Sequence, residues 1–260
     1  MDFTVSCTNH PHYGYISVTS HYIPDGTITL LSYVIIKRKI VGENLFTSVY
    51  QKRVNTDEDL DFTFKDRLCR NNYTYQYQVE YRSVAGVEYT RTATVKSEFD
   101  VLVVCDANAI WKTPLNVSAI GLTTVKPFAI NTPIYAKKPS YYSNTATNYE
   151  EGTCTGIFIK MTGPENKITF DTDHNWKYRK DFKNFITQGN AKVIKSVSGE
   201  MWLVGIKSDS ITDNSLFANA EIEGARQLEF GWLEIGDVDS EQDLYENGLI
   251  NVYKQFWSGQ

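Results

Sequence analysis

The sequence predicts a mainly β fold, an antiparallel β-sandwich at the N-terminus followed by a β-rich α+β domain with one main helix. Three observations predict it. First, residues 73–82 alternate Tyr73, Tyr75, Tyr77, Val79 and Tyr81 with Thr74, Gln76, Gln78, Glu80 and Arg82. That period of two places one set on each face of a strand. Second, short β-rich runs separated by turn residues recur over the first hundred positions, with no convincing helical stretch among them. Third, Asp173–Gln188 is the only segment with strong helical periodicity.

Taken in order, Thr27–Ile40 and Leu45–Val54 read as strands joined by the hairpin turn Val41-Gly42-Glu43-Asn44, and Asp61–Phe64 as a further short strand. After the tyrosine strand, Val84-Ala85-Gly86 marks a hairpin into Val87–Lys96. Residues 103–152 change character: Pro114, Pro127, Pro133 and Pro139 punctuate a stretch ending Ser140-Tyr141-Tyr142-Ser143-Asn144-Thr145. Hydroxyl and amide side chains favour turns, so this part reads as a Pro-rich connection and extended arm between domains at 1–102 and 153–260. The second domain opens with a strand at Thr153–Met161. Its helix, near 174–188, carries Tyr178, Phe182, Phe185 and Ile186 on one face and Lys180, Lys183 and Thr187 on the other. Asp173 or Asn175 is placed to cap its start and Gly189 to end it. Strands follow at Lys192–Ser196, Met201–Lys207 and Gln227–Ile235, then a polar segment at Ser240–Ile250 and the aromatic run Tyr253–Trp257.

Composition excludes several classes of function. The 260 residues are 42% hydrophobic and 22% charged, as in a folded protein. A net charge of −5, from 26 basic and 31 acidic residues, argues against nucleic acid as a partner, because phosphate binding needs a basic face. No apolar run approaches the roughly 18 residues of a membrane helix. Met1-Asp2-Phe3-Thr4 lacks the start of a secretory signal, so synthesis in a cytoplasm is expected. The sequons at Asn72 and Asn116 then carry no weight. Cys7, Cys69, Cys105 and Cys154 are scattered, with no Cys-x-x-Cys pair, and read as reduced, mostly buried thiols.

Catalytic signatures are missing. There is no Gly-x-Ser-x-Gly elbow, P-loop or Gly-x-Gly-x-x-Gly. His10, His12, His21 and Cys7 match no metal-ligand spacing. Asp171-Thr172-Asp173-His174 lacks the glycine and distal glutamate of a calcium loop. Asp57, Asp59 and Asp61 sit on a turn-like stretch. A non-enzymatic protein without metal or cofactor is expected, although a carboxylate-pair hydrolase is not excluded by sequence.

Two features point to assembly instead. Lys177–Lys195 holds six bases (Lys177, Arg179, Lys180, Lys183, Lys192, Lys195) and one acid, while Glu234–Glu246 holds six acids (Glu234, Asp237, Asp239, Glu241, Asp243, Glu246) and no base. Opposed patches suit head-to-tail contacts that close into rings; two solvated faces or a contact within the subunit account for them as well. Tyr141, Tyr142 and Tyr149 lie in a polar segment suited to subunit contact, to stacking on a sugar, or simply to covering the core.

Two resemblances add to this. Residues 1–100, with Leu68 ahead of the Tyr73–Arg82 strand, loosely resemble a fibronectin type III domain, although Cys69-Arg70-Asn71-Asn72 replace the usual Pro and Gly. Residues 150–250 resemble tail proteins of bacteriophages infecting Gram-positive hosts. The likeness rests on Gly156-Ile157-Phe158-Ile159, the helix Tyr178–Ile186 closed by Gly189, the hairpin Ala191–Lys195 with Gly199–Ile206, Phe230-Gly231-Trp232-Leu233-Glu234-Ile235-Gly236-Asp237 and Asp243-Leu244-Tyr245-Glu246-Asn247-Gly248-Leu249-Ile250. What the resemblance implies is a virion protein of the tail tip, baseplate or connector-proximal ring. It would be made in the host cytoplasm and assemble with copies of itself and other tail proteins. The alternative is a receptor- or carbohydrate-binding module, with a cell-surface glycan as partner.

Overall fold

The computed structural model describes residues 2–23, 31–83, 88–115, 121–135, 137–143, 148–163, 169–171, 174–215 and 226–252. The chain is mainly β. It opens with β1 (Asp2–His10) and β2 (Tyr15–Ile23), joined by a turn whose Gly14 takes φ +65°. There follow β3 (Leu31–Ile40), β4 (Thr47–Arg53), β5 (Phe62–Asp66), β6 (Thr74–Ser83) and β7 (Glu88–Lys96). They form two antiparallel sheets, in the orders β1-β2-β5 and β4-β3-β6-β7. Phe3, Ile16, Val18 and Tyr22 of the first meet Val34, Ile36, Tyr77, Val79 and Tyr81 of the second in one core, which is the sandwich the alternation predicts. Residues 27–30 and the 84–86 turn lie outside the described residues.

The tyrosines show why this sandwich is specific. Tyr75, Tyr77 and Tyr81 are buried, whereas Tyr73, just before the strand, is 41% exposed. Each buried hydroxyl finds a partner, as its desolvation demands. Arg70 N–H donates to Tyr75 Oη at 2.8 Å, a tie from hydroxyl to upstream backbone like the tyrosine corner of immunoglobulin-type sandwiches. Tyr81 Oη lies 2.6 Å from Ser20 Oγ in the opposite sheet. Tyr77 donates to Asp66 Oδ2 at 2.7 Å, where Arg38 Nη1 also donates at 2.5 Å; Leu68 N–H donates to Asp66 Oδ1 at 2.9 Å. Burial pushes the Asp66 carboxyl up, but Arg38, the Tyr77 hydroxyl and the Leu68 amide together hold it below the usual carboxylate range.

The second half builds one seven-stranded sheet. Its strands are β8 (Leu102–Cys105), β9 (Ile110–Thr113), β10 (Gly121–Val125), β13 (Tyr149–Gly156), β16 (Lys192–Lys195), β17 (Met201–Ser215) and β18 (Arg226–Gly236), in the order β10-β13-β18-β17-β16-β8-β9. Two small ribbons lie outside it, β11 (Phe128–Asn131) with β12 (Ser140–Ser143), and β14 (Lys160–Thr162) with β15 (Thr169–Asp171). Helix α1 (Asn175–Ile186) and a short second helix, α2 (Glu241–Glu246), complete the fold. Period-two alternation divides the sheet. Leu102, Val104, Ile194, Trp202 and Val204 face α1, where Phe182, Phe185 and Ile186 are buried. At about 1.5–3 kcal/mol for each such side chain, that face holds the helix in place. Val103, Cys105, Val193, Met201 and Leu203 face the other way, onto Leu244 of α2 and Leu249, Ile250 and Val252 beyond it.

Several expectations are corrected. The stretch 103–152 is not mainly a connection: it supplies most of β8, all of β9 and β10 and the first half of β13. Its prolines stand at strand ends and in the β11–β12 connection, positions where a missing N–H costs no ladder bond. Asn175 does not cap α1 but is buried as its first helical residue, and His174 takes the cap position without a side-chain bond; Asp173 lies outside the described residues. Ser240–Ile250 contains a helix, with Ser240 Oγ accepting from Asp243 N–H.

The two halves are locked together. The Lys195 side chain is fully buried, and its Nζ donates to Gly14 O at 2.5 Å and Cys69 O at 3.0 Å. A Cβ on Gly14 would strike the Val103 side chain, so the β1–β2 turn sits directly on β8. Asn71 Nδ2 donates to Phe99 O at 2.9 Å and Val197 O at 2.6 Å, and its Oδ1 accepts from Phe99 N–H at 2.7 Å. Leu68, Phe99 and Val101 pack in the core of the seven-stranded sheet, not of the sandwich. Cys69-Arg70-Asn71-Asn72, the residues that depart from the fibronectin pattern, are therefore the joint itself; Asn72 makes the turn at φ +63°.

Two outcomes are expected. Asp66→Asn leaves the Arg38 guanidinium buried without its counter-charge and should cost about 3–5 kcal/mol in urea denaturation. The folded carboxyl titrates below the unfolded value of about 3.9, so its contribution is complete above that pH and is lost as pH falls through the folded value; wild type and variant should converge there. Lys195→Met abandons two buried carbonyls and should lower stability by about 1–3 kcal/mol for each, read as a shifted denaturation midpoint with the far-ultraviolet β spectrum retained.

Candidate assembly surface

Among the described residues, the strands of the ribbon β11–β12 are exposed along almost their whole length. The ribbon continues from edge strand β10, which pairs with β13 from Gly121↔Thr153 to Val125↔Tyr149. Beyond Lys126 and Pro127 the chain pairs again, Phe128↔Ser143 through Asn131↔Ser140. Register puts Phe128, Ile130 and Tyr141 on one face, with the Phe128 and Tyr141 rings 5.7 Å apart. Phe128 is 62% exposed, Ile130 59% and Tyr141 64%; Ile134 and Tyr135 at the end are 92% and 98% exposed. Among the described residues, neither outer edge of the ribbon has a neighbouring strand. An isolated two-stranded ribbon is marginal in water, and apolar side chains clustered on one mark an interaction surface.

At the root of this ribbon lies a cleft of about 710 Å³, lined by Asn148, Tyr149 and Glu150 of β13 and its approach, Glu234, Ile235 and Gly236 of β18, and Trp202, Asp237 and Arg70. Glu150 Oε2 accepts from Trp202 Nε1 at 2.5 Å, and Glu234 Oε2 accepts from Glu150 N–H at 2.8 Å. Burial, followed by the charges of Glu150 and Asp237, pushes the Glu234 carboxyl up despite that amide bond. Arg70, the one base on the wall among the described residues, is bonded to Asp239 at 2.6 Å. Among the described residues, Glu150, Glu234 and Asp237 have no ion-pair partner, so the cleft carries uncompensated negative charge.

The candidate residues read from sequence do not form two opposed patches. Lys192 and Lys195 are fully buried and Arg179 is 8% exposed. Lys192 Nζ meets Asp106 at 3.0 Å, Lys183 pairs with Asp213 on β17, and Lys180 remains exposed. On the acidic side, Asp243 anchors α2 by accepting from Asp237 N–H at 2.7 Å and Ser240 Oγ at 3.1 Å. Asp239 holds Arg70, and burial pushes the Glu241 carboxyl up, opposed by a bond from Ser48 N–H and by Lys37. The charge runs are thus spent largely within the subunit. Tyr141 and Tyr142 are exposed as expected, while Tyr149 lines the cleft. The face of Tyr75, Tyr77 and Tyr81 is core. Sequence reasoning missed the cleft because its walls come from segments far apart in the chain, around Arg70, Glu150, Trp202 and Glu234.

The remaining reactive side chains are occupied elsewhere. His10 bonds Ser17, His12 bonds Asp100 and His21 bonds Asp61. Among the described residues no three metal-ligating side chains converge, and no helix is long and apolar enough to cross a membrane. The cysteines are unpaired, and burial pushes the Cys105 thiol up to about 12, away from thiolate chemistry. No known protein family matches the sequence, and no curated protein matches it.

The Glu234 carboxyl titrates above its unfolded value, so it opposes folding at neutral pH and ceases to do so as pH falls through the folded value. Glu234→Gln keeps an acceptor for Glu150 N–H and removes the charge. The variant should show a higher thermal midpoint than wild type at pH 7, with the difference vanishing below about pH 4, where both side chains are neutral.

Proposed function

We propose that this chain is a structural component of a bacteriophage tail, at the tip, baseplate or a connector-proximal ring, and that it acts by assembling with copies of itself and neighbouring tail proteins. The observation that carries the reading is the β11–β12 ribbon, a projecting element with Phe128, Ile130, Ile134, Tyr135 and Tyr141 in solvent. A subunit whose sheet is otherwise covered on both faces spends free energy to display these residues, and covering them in a partner recovers it. The likeness of residues 150–250 to phage tail proteins supplies the setting.

Light scattering and negative-stain imaging of the purified full chain test this. The wild type is expected to form a closed oligomer of defined mass, and Ile134→Ser with Tyr135→Ser to shift it to monomer; compared at dilution where both are monomeric, the two should share one unfolding midpoint, since both residues are exposed. A wild type that stays monomeric at all concentrations would overturn the proposal.

Exposure of Tyr141 and Tyr142 favours a second reading, a carbohydrate- or receptor-binding module. Binding of cell-wall glycan by the monomer, lost in Tyr141→Ala, would establish it in place of the first.

A further inference from the structure

The ribbon and the cleft differ in charge as well as in shape. The ribbon and its flanks, residues 121–143, contain Lys126, Lys137 and Lys138 and no acid; all three lysines are exposed. The cleft presents Glu150, Glu234 and Asp237 without an ion-pair partner among the described residues, beside Ile235, which is 44% exposed. One surface is apolar and basic, the other acidic with an apolar lip.

We infer that the β11–β12 ribbon of one copy docks in the acid-lined cleft of a second copy, with its terminal lysines facing Glu234 and Asp237 and Ile134 and Tyr135 against Ile235. This rests on the assembly reading above and specifies its contact. A ribbon does not serve its own cleft in this structure, because Ile134 and Tyr135 are almost wholly in solvent. From Lys126 to Ile134 the chain spans at most roughly 26 Å at about 3.3 Å per residue, enough to reach a neighbour in contact. Each copy then offers one ribbon and one cleft, two different surfaces, so the contact is heterologous and propagates head to tail until it closes. The unneutralised charge of the cleft is tolerated in the single subunit and satisfied in the complex, where desolvation strengthens the pairing.

Charge exchange in the full-length protein tests the contact. Lys137→Glu with Lys138→Glu should raise the concentration of half-dissociation by about tenfold or more. Asp237→Lys, at an exposed position, should do the same, and the two sets combined should recover most of the loss. In a Cys7→Ser background, Lys138→Cys with Asp237→Cys should give disulfide-linked chains under mild oxidation, with neither single variant doing so. Unfolding midpoints that match the wild type at dilution where all are monomeric would exclude misfolding as the cause. If the wild-type oligomer dissolves on Ile134→Ser with Tyr135→Ser but ignores the charge variants and yields no cross-link, this docking is wrong and the assembly reading stands. A monomeric wild type sinks both.

Discussion

A buried ammonium group sits at the joint between the two halves of the molecule. Lys195 lies at zero exposure between the two halves, and its hydrogen bonds go to the carbonyls of Gly14 and Cys69, 181 and 126 residues away in sequence. The Phe99 ring lies 4.7 Å from its nitrogen, supplying a cation–π contact in place of a carboxylate. Desolvating an ammonium is costly, so its burial requires each of these groups to be in position at once. The β1–β2 turn is held against β8 by that requirement, and the sandwich takes a defined orientation on the seven-stranded sheet. Asn71 repeats the device with a neutral amide, bonding the linker at Phe99 and the β16–β17 turn at Val197.

With the halves fixed, the surfaces left for contact are few. The sheet is covered on one face by α1 and on the other by α2 and the residues after it. Among the described residues, Phe128, Ile130, Ile134, Tyr135 and Tyr141 of the ribbon stand in solvent, and Glu150, Glu234 and Asp237 line the cleft without ion-pair partners. In the proposed assembly, such an arrangement would trade stability of the single chain for a surface that a partner completes. The carboxyl of Glu234, pushed up by burial, and the exposed ring of Tyr135 are two forms of that trade.

Local pattern made part of this legible in the sequence. The alternation of Tyr75, Tyr77, Val79 and Tyr81 fixed a strand and its buried face, and Tyr178, Phe182, Phe185 and Ile186 fixed the helix and the side it packs by, because both signals lie within one element. Lys192 and Lys195 were misread as surface charge, since their partners, Asp106 and the carbonyls of Gly14 and Cys69, are distant in sequence. The β-rich share of 103–152 was obscured because its prolines lie at strand ends, where composition does not distinguish a punctuated sheet from an irregular loop. The cleft is legible only from pairing, because Glu150 and Glu234 meet through the β13–β18 register.

The packing of Leu68, Phe99 and Val101 into the far core has a consequence for modularity. Tandem sandwich domains are often exchanged between proteins as self-contained cassettes. This one is not portable: excised at its last strand, it would carry away an apolar patch and a bare pair of carbonyls, and any replacement would need to bring its own answer to the lysine. The two halves are therefore bound to diverge as a unit, so a lineage can remodel the projecting ribbon far more readily than it can trade the sandwich.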